Sequence, residues 1–286
     1  MGACDEIQGW LEQHGFGSLR SCESVSGGCI NQAVRLETTS GERFFLKSNA
    51  SSPADMFFRE AEGLRELMVE GAPRVPEVFL VREQAILMED LQPAPRAEGY
   101  WAQFGRQLAE LHQHHAPLFG FAEDNYLGST PQKNTQEEDG CKFFAEHRLI
   151  YQVRLARKDG KLGRGDARGV ERLADQLRDR IPDQPASLLH GDLWSGNAIT
   201  DDQGDPALID PAVYYGWAEA DLAMTALFGS FPETFYSAYQ DVRPLEQGFR
   251  DRYPVYNLYH LLNHLNLFGG HYRGQVRRTL ERLGLT

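Results

Sequence analysis

Cysteine is scarce in this chain and widely scattered. Cys4, Cys22, Cys29 and Cys141 are the only four in 286 residues, and none forms a Cys-x-x-Cys pair. That argues against a thiolate zinc site and against the disulfide framework that staples small secreted domains. Positive charge is also in short supply. The 29 Lys and Arg residues stand against 41 Asp and Glu, a formal net charge of −12. Such a balance argues against a nucleic-acid partner or an anionic membrane surface. It leaves room for an anionic ligand held by a few local cations and helix N-termini. No apolar run reaches the length of a bilayer span. The first residues bring Asp5 and Glu6 where a secretory leader would be apolar. Internal repeats and low-complexity tracts are missing too. A reducing cytoplasmic setting is the expectation.

What is present is a globular composition, 41% hydrophobic, in a chain long enough for one large domain or two lobes. The first ninety residues read as α+β. A short helix near Asp5–His14 precedes strand-like runs at Ser21–Val25, Ala33–Glu37, Arg43–Lys47, Glu77–Val81 and Ala85–Glu89. One helix interrupts them: Pro53 and Asp55 suit its first turn and Gly71 its end. Phe57, Ala61, Leu64 and Met68 recur at helical spacing and are expected to face the sheet. Gln92-Pro93-Ala94-Pro95 is a stiff connection, which divides the chain into residues 1–91 and 92–286. The second part reads as mainly helical. Trp101, Phe104, Leu108 and Leu111 mark one amphipathic face, and Leu258, Leu261, Leu262, Leu265 and Phe268 another. Short apolar strands are expected at Ser187–Leu189 and Ala207–Ile209. The polar stretches 132–140 and 158–169 read as mobile.

The densest chemical signal is His190-Gly191-Asp192-Leu193-Trp194-Ser195-Gly196-Asn197, followed by Ile209-Asp210-Pro211. Phosphoryl transfer needs a carboxylate to orient the attacking hydroxyl and oxygen ligands to hold Mg²⁺ on the nucleotide phosphates. Asp192 is the candidate base, and Asn197, five residues on, and Asp210 are candidate metal ligands. His190 reads as a structural residue that holds the loop, and His112, His114 and His115 as structural too. Lys47 ends a strand-like run and is placed to reach the nucleotide phosphates; Glu60, thirteen positions later on the helix, is its candidate partner. Gly27 and Gly28 lie in a turn whose backbone N–H groups can approach phosphate. Met88, Glu89, Asp90 and Leu91 form a strand that leaves the first part, where backbone would meet adenine. A small sheet lobe with one helix, a connection, then a larger helical lobe is the order of a two-lobed, protein-kinase-like fold that uses ATP and Mg²⁺. Two absences restrict this reading. Gly191, not arginine, precedes Asp192, and no activation segment ending in Ala-Pro-Glu follows Asp210. Both favour a small-molecule kinase over a protein kinase.

His190–Asn197, the run Asp210-Pro211-Ala212-Val213-Tyr214-Tyr215-Gly216, Glu219–Met224, Ser26–Asn31, Phe44–Asn49, Gly128–Asn134 and Tyr259–Gly270 together resemble the fructosamine (ketosamine) kinase family over nearly the whole chain. The resemblance implies ATP-dependent phosphorylation of the 3-hydroxyl of ketosamines, free or protein-bound, as a deglycation repair step. It implies Asp192 as catalytic residue, Asn197 and Asp210 as metal positions, Lys47 and Glu60 as the nucleotide pair, and residues 89–91 as the adenine-facing segment. Trp194, Gln132 and Asn134 are expected at the substrate. Trp217-Ala218 departs from the family's His-Arg pair, and Trp217 is therefore also expected beside the cleft. Cys29 in the glycine turn is a redox candidate. A monomer or weak dimer is expected. A phosphotransferase for another hydroxylated amine, such as an aminoglycoside, and a silent nucleotide-binding relative are the alternatives.

Overall fold

The structure is a computed structural model that describes residues 3–25 and 31–286. Helix α1 (Ala3–Gln13) leads into strands β1 (Leu19–Val25), β2 (Gln32–Thr38) and β3 (Arg43–Ser48). Helix α2 (Met56–Glu66) follows, then β4 (Val78–Arg82) and β5 (Ala85–Glu89). The strands form one antiparallel sheet in the order β1-β2-β3-β5-β4. Alternation of side chains decides what each face does. Leu36, Phe44, Leu46, Ala85 and Leu87 point to one face and pack with Ile7 and Leu11 of α1. Ile86 and Met88 point to the other, where they join Phe57, Ala61 and Leu64 of α2 in the main core. Lys47 is paired with Ile86 across the β3–β5 ladder, so it stands on that second face, under α2.

Met68 does not continue the buried stripe of α2. The helix ends at Glu66 with Leu67 as its cap, and Met68 is exposed, because the chain tightens there, with the Met68 N–H donating to the Arg65 carbonyl, and leaves the helical repeat.

The remainder is largely helical. In chain order it runs α3 (Tyr100–His112), β6 (His115–Ala116), β7 (Asn125–Leu127), β8 (Thr130–Gln132) and α4 (Gly140–Phe143). A π-helical turn (Phe144–Ile150) and α5 (Tyr151–Lys158) come next, then α6 (Arg164–Asp175), α7 (Leu177–Arg180) and β9 (Ala186–Leu189). The chain continues with β10 (Ala198–Thr200), β11 (Pro206–Leu208), β12 (Tyr214–Gly216), α8 (Ala218–Thr225), α9 (Glu233–Val242), α10 (Phe249–Phe268) and α11 (Arg273–Arg282). Three small sheets, β12-β9-β6, β10-β11 and β7-β8, support the loops between the helices. The stretches 132–140 and 158–169 are not loose. Gln132 and Asn134 are buried, and α6 starts at Arg164, because internal hydrogen bonds and the apolar face of α6 order what composition alone leaves open. Among the described residues no helix is long and apolar enough to cross a membrane.

Helices α3 and α9 cross at Gly105. A Cβ there would meet the Phe235 carbonyl oxygen at 2.2 Å and the Tyr239 nitrogen at 3.0 Å. Intrinsic helix propensity favours Gly105→Ala by about 1 kcal/mol, but the contact is with backbone that cannot swing aside. Overpacking of this kind costs about 1–3 kcal/mol or more. Gly105→Ala is therefore expected to destabilise the protein by about 2 kcal/mol in urea denaturation at pH 7; a stabilised variant would show that the crossing is looser than described.

Candidate active site

Lys47 is almost fully buried, and its Nζ donates to Glu60 Oε1 at 2.6 Å and to Asp210 Oδ1 at 2.8 Å. Burial opposes the ammonium charge, but Asp210 and Glu60 outweigh it and hold the Lys47 pKa above its ordinary value. Asp210 moves the other way: burial would raise its carboxyl, and Lys47 brings it below the usual range. Strand β3 supplies the cation, α2 one carboxylate, and the segment after β11 the other. Helix α2 is pinned in this position from the opposite side. Tyr126 donates to Asp55 at 2.6 Å, Arg59 pairs with Glu123 at 3.4 Å, and Tyr215 donates to Glu66 at 2.8 Å. Glu62 pairs with Arg59 at 2.9 Å on the outer side.

The loop after β9 carries Asp192. Gly191 is the position that only glycine fits: φ is +83°, and a Cβ would lie 2.0 Å from the Ala212 carbonyl oxygen. Asp221, fully buried on α8, holds the loop from below. It accepts the N–H groups of His190 at 2.7 Å and Gly191 at 2.9 Å, and Nε2 of His112 lies 3.3 Å away. Burial would raise its carboxyl, but the His112 contact and these backbone donors bring it below the usual range. His190 Nε2 meets the Ile209 carbonyl at 2.9 Å, so that nitrogen carries the proton; its Nδ1 accepts the Asp192 N–H at 3.2 Å. Burial keeps the ring neutral. With both ring nitrogens engaged, His190 has no lone pair or proton for a substrate.

Burial, with help from the charges of Asp210 and Asp221, pushes the Asp192 carboxyl up to about 7 against the pull of the Asn197 amide. Asn197 donates its Nδ2 to the Asp192 carbonyl at 2.9 Å and to the Asp192 carboxylate at 3.2 Å. Its Oδ1 therefore faces away from that carboxylate. Asp210 is held in the left-handed region at φ +56°, where non-glycine residues are strained. One of its oxygens meets Lys47 and the side chain is half exposed. The amide oxygen of Asn197 and the carboxylate of Asp210 are a hard, all-oxygen donor pair, which fits Mg²⁺.

The segment at the end of β5 is fixed by charge. Arg74 pairs with Glu89 and, at 3.1 Å, with Asp201, so the Glu89 side chain points away from the cleft. Asp90 pairs with Arg35 at 3.2 Å and accepts the Gln92 N–H at 3.1 Å. Met88 is buried, and the Glu89 N–H donates to the Glu77 carbonyl.

Three residues expected at the substrate are instead internal. Gln132 donates to Asn125 Oδ1 and to the Ala212 carbonyl, and accepts from the Tyr259 hydroxyl. Asn134 donates to the Glu123 carbonyl and to Asn125, and accepts from Arg148. Neither amide keeps a free group for a ligand. Trp217 is also buried, packed among Phe119, Phe144 and Tyr256 with ring centroids 5.5–6.0 Å apart. Just past β12 the chain turns into α8, and that turn carries the indole inward, not to the cleft. Trp194 behaves differently: it is 37% exposed, beside Asp192. Gly27, Gly28 and Cys29 lie outside the described residues.

Sequence reasoning passed over two positioning groups. Asp221 stood in a recognised motif without a role. Arg148 gave no signal at all: it is fully buried in the π-helical turn, 4.0 Å from the Tyr214 ring centroid and 4.5 Å from that of Phe143, and it donates to Asn134 and the Lys133 carbonyl.

A small antiparallel sheet with a buried lysine–glutamate pair, joined to a helical region that carries the Asp192–Asn197 loop and Asp210, defines a protein-kinase-like phosphotransferase. Comparison with known proteins narrows the class. The family model for fructosamine kinase matches residues 5–285. A protein of Synechocystis named "Probable ketoamine kinase" is 42% identical over 92% of this chain and 90% of its own length. A chloroplastic protein-ribulosamine 3-kinase of Arabidopsis thaliana is 39% identical over 97% of this chain and 87% of its own. A crystal structure from Thermobifida fusca, described as a "putative fructosamine-3-kinase", superposes with a TM-score of 0.89 at 33% identity, over 98% of this chain and 99% of that one. The chain belongs to the fructosamine kinase family.

Asp221→Asn tests the anchor under the loop. An amide cannot accept both backbone N–H groups and the imidazole as a carboxylate does, and hydrogen bonds to a charged group contribute about 1.5–3 kcal/mol each. A loss on the order of 3 kcal/mol in urea denaturation at pH 7, with a fall in turnover, is expected. Because the folded pKa lies below the unfolded value near 3.8, the contribution is present above pH 4 and fades as pH falls further. The gap between wild type and variant should therefore narrow below pH 4; a constant gap would mean the loss comes from packing.

Proposed function

We propose that this chain transfers the γ-phosphoryl group of ATP to the 3-hydroxyl of a ketosamine, the adduct of a sugar on an amine. The observation that carries the reading is the Lys47 ammonium held between Glu60 at 2.6 Å and Asp210 at 2.8 Å. It sits opposite a loop that pairs a half-buried Asp192 with Asn197. Residues 1–91 are taken as the nucleotide lobe and 92–286 as the catalytic and substrate lobe.

Lys47 would neutralise the α- and β-phosphates, with Glu60 fixing its direction. Gly27 and Gly28 would bring backbone N–H groups to the phosphates. The adenine edge would meet the Glu89 carbonyl and the backbone at Asp90 and Leu91, with Met88 behind it; the N–H of Glu89 is already engaged by Glu77. Asn197 and Asp210 would hold Mg²⁺, which spreads the charge that develops on the transferred group. Asp192 would orient the substrate hydroxyl. The hydroxyl oxygen bonds to the γ-phosphorus, the bond to ADP breaks, and the proton passes to the Asp192 carboxylate late in the step. Trp194 would wall the sugar. The phosphorylated adduct then decomposes and frees the amine, which makes the activity a deglycation repair.

The ketosamine assignment draws on family membership across the whole chain and on the ribulosamine 3-kinase relative. The test is Mg²⁺-dependent ATP turnover on ribulosyl-lysine and fructosyl-lysine, with kanamycin and choline as controls and NMR to locate the phosphate. Phosphate on the 3-hydroxyl of either ketosamine is the expected result; turnover of a control alone would overturn the substrate. Loss of a positioned base typically costs 10²–10⁴ in rate, so Asp192→Ala is expected to lower kcat by about 10³-fold while thermal unfolding stays cooperative. Asp210→Asn is expected to shift the magnesium titration upward; superimposable curves would remove Asp210 from the metal site.

A further inference from the structure

An aromatic strip leaves the catalytic loop and crosses the helical region. Trp194 meets Phe228 edge-on at 6.2 Å between centroids, and Phe228 meets His264 at 4.9 Å. His264 in turn lies 5.4 Å from Phe268 and 5.1 Å from Tyr272. Phe228 follows α8, His264 and Phe268 stand one turn apart on α10, and Tyr272 lies just beyond it. The strip is not core. Phe268 is 45% exposed and Trp194 37%, two of the four large apolar side chains that stand exposed among the described residues. The other three rings are half-buried. Water-facing aromatic area that runs unbroken from a catalytic loop is area for a ligand to cover.

The ring chemistry selects the ligand. His264 Nδ1 lies 2.8 Å from the His260 carbonyl oxygen. A carbonyl only accepts, so Nδ1 carries the proton and Nε2 is left as a bare acceptor. Burial lowers the His264 pKa, which keeps the imidazole neutral. Aromatic faces attract cations through their quadrupoles. Elsewhere the protein covers such faces with its own arginines: Arg96 over Trp101, Arg148 over Tyr214, Arg250 over Tyr236. Among the described residues no cation is stacked on this strip. The net charge of −12 adds long-range attraction for a positive group.

We propose that Phe228, His264, Phe268 and Tyr272 form the subsite for the amine arm of the acceptor, with its alkylammonium lying over the rings and its N–H directed to His264 Nε2. This rests on the reading that the acceptor hydroxyl of a ketosamine stands at Asp192. The nitrogen of such an adduct is a secondary amine, basic enough to be cationic at pH 7. The strip begins at the loop that takes the sugar, so it receives whatever the sugar is attached to.

The test compares three acceptors with one sugar: the ribulosyl adduct of Nα-acetyl-lysine, the same adduct acetylated on the sugar-bearing nitrogen, and the ribulosyl adduct of methylamine. In the wild-type protein, kcat/KM should rank the charged long adduct first. In Phe268→Ala and Phe228→Leu, the ratio of kcat/KM between long and short charged adducts should fall about tenfold, through the acceptor KM and not kcat. His264→Leu should erase the preference for the ammonium over its acetylated form. Phe268→Leu, which keeps apolar bulk but has no π face, should narrow the preference for the charged long adduct over its acetylated form and guards against loss by misfolding. Ratios that stay at the wild-type value, or an equal fall in kcat on both charged adducts, would overturn the subsite. A wild-type protein that turns over none of the three would show that the ketosamine reading itself had failed, before any variant is made.

Discussion

The carboxylate of Asp221 is the contact on which the active site rests. It is buried on α8, faces the backbone N–H groups of His190 and Gly191, and meets the imidazole of His112. A charge placed there without donors would cost several kcal/mol. With them, it fixes the start of the loop whose next residue is Asp192. His190 carries the constraint onward, since its two ring nitrogens tie the Asp192 backbone to the Ile209 carbonyl. The direction of the proposed base and the position of Asp210 thus depend on one buried anion that touches neither nucleotide nor sugar in the proposed mechanism.

The second organising contact is Lys47 between Glu60 and Asp210. In kinases controlled by an activation segment, a lysine–glutamate pair of this kind can be made and broken by movement of the helix. Here α2 is held by Tyr126, Glu123 and Tyr215 as well. Several ties on the far side leave the helix little freedom to swing. That agrees with a chain in which no Ala-Pro-Glu segment follows Asp210, and it describes an enzyme built in its assembled state.

Much of this was legible in the sequence, and the exceptions have physical causes. The five strands of the sheet and the long helices carry clear periodicities, so β3 and β5 ran close to where alternation put them. Lys47 and Glu60 could be paired because Glu60 borders the helix face of Phe57 and Leu64 and because the family resemblance implies the two as a nucleotide pair. Gln132, Asn134 and Trp217 were misplaced because motif membership says that a residue matters, not whether it faces ligand or core. Their amides and ring are internal, which only the positions of Tyr259, Arg148 and Tyr256 reveal. Arg148 was invisible for a related reason. A buried arginine without a carboxylate partner is held by rings and carbonyls that come together from distant segments, and no local pattern announces it. Met68 failed more simply: a helical repeat does not mark where the helix stops.

Lys47 and Asp210 are 163 residues apart in the chain. During synthesis the sheet and α2 leave the ribosome long before Asp210 does, at a rate of about 5–20 residues per second. For roughly ten seconds or more the lysine has Glu60 as its only partner of the two, and the Asp192 loop does not yet exist. A nascent chain can therefore complete its first sheet without owning a centre able to split ATP. In the proposed mechanism phosphoryl transfer needs both Asp192 and Asp210, so a half-made molecule would have no means of burning nucleotide idly.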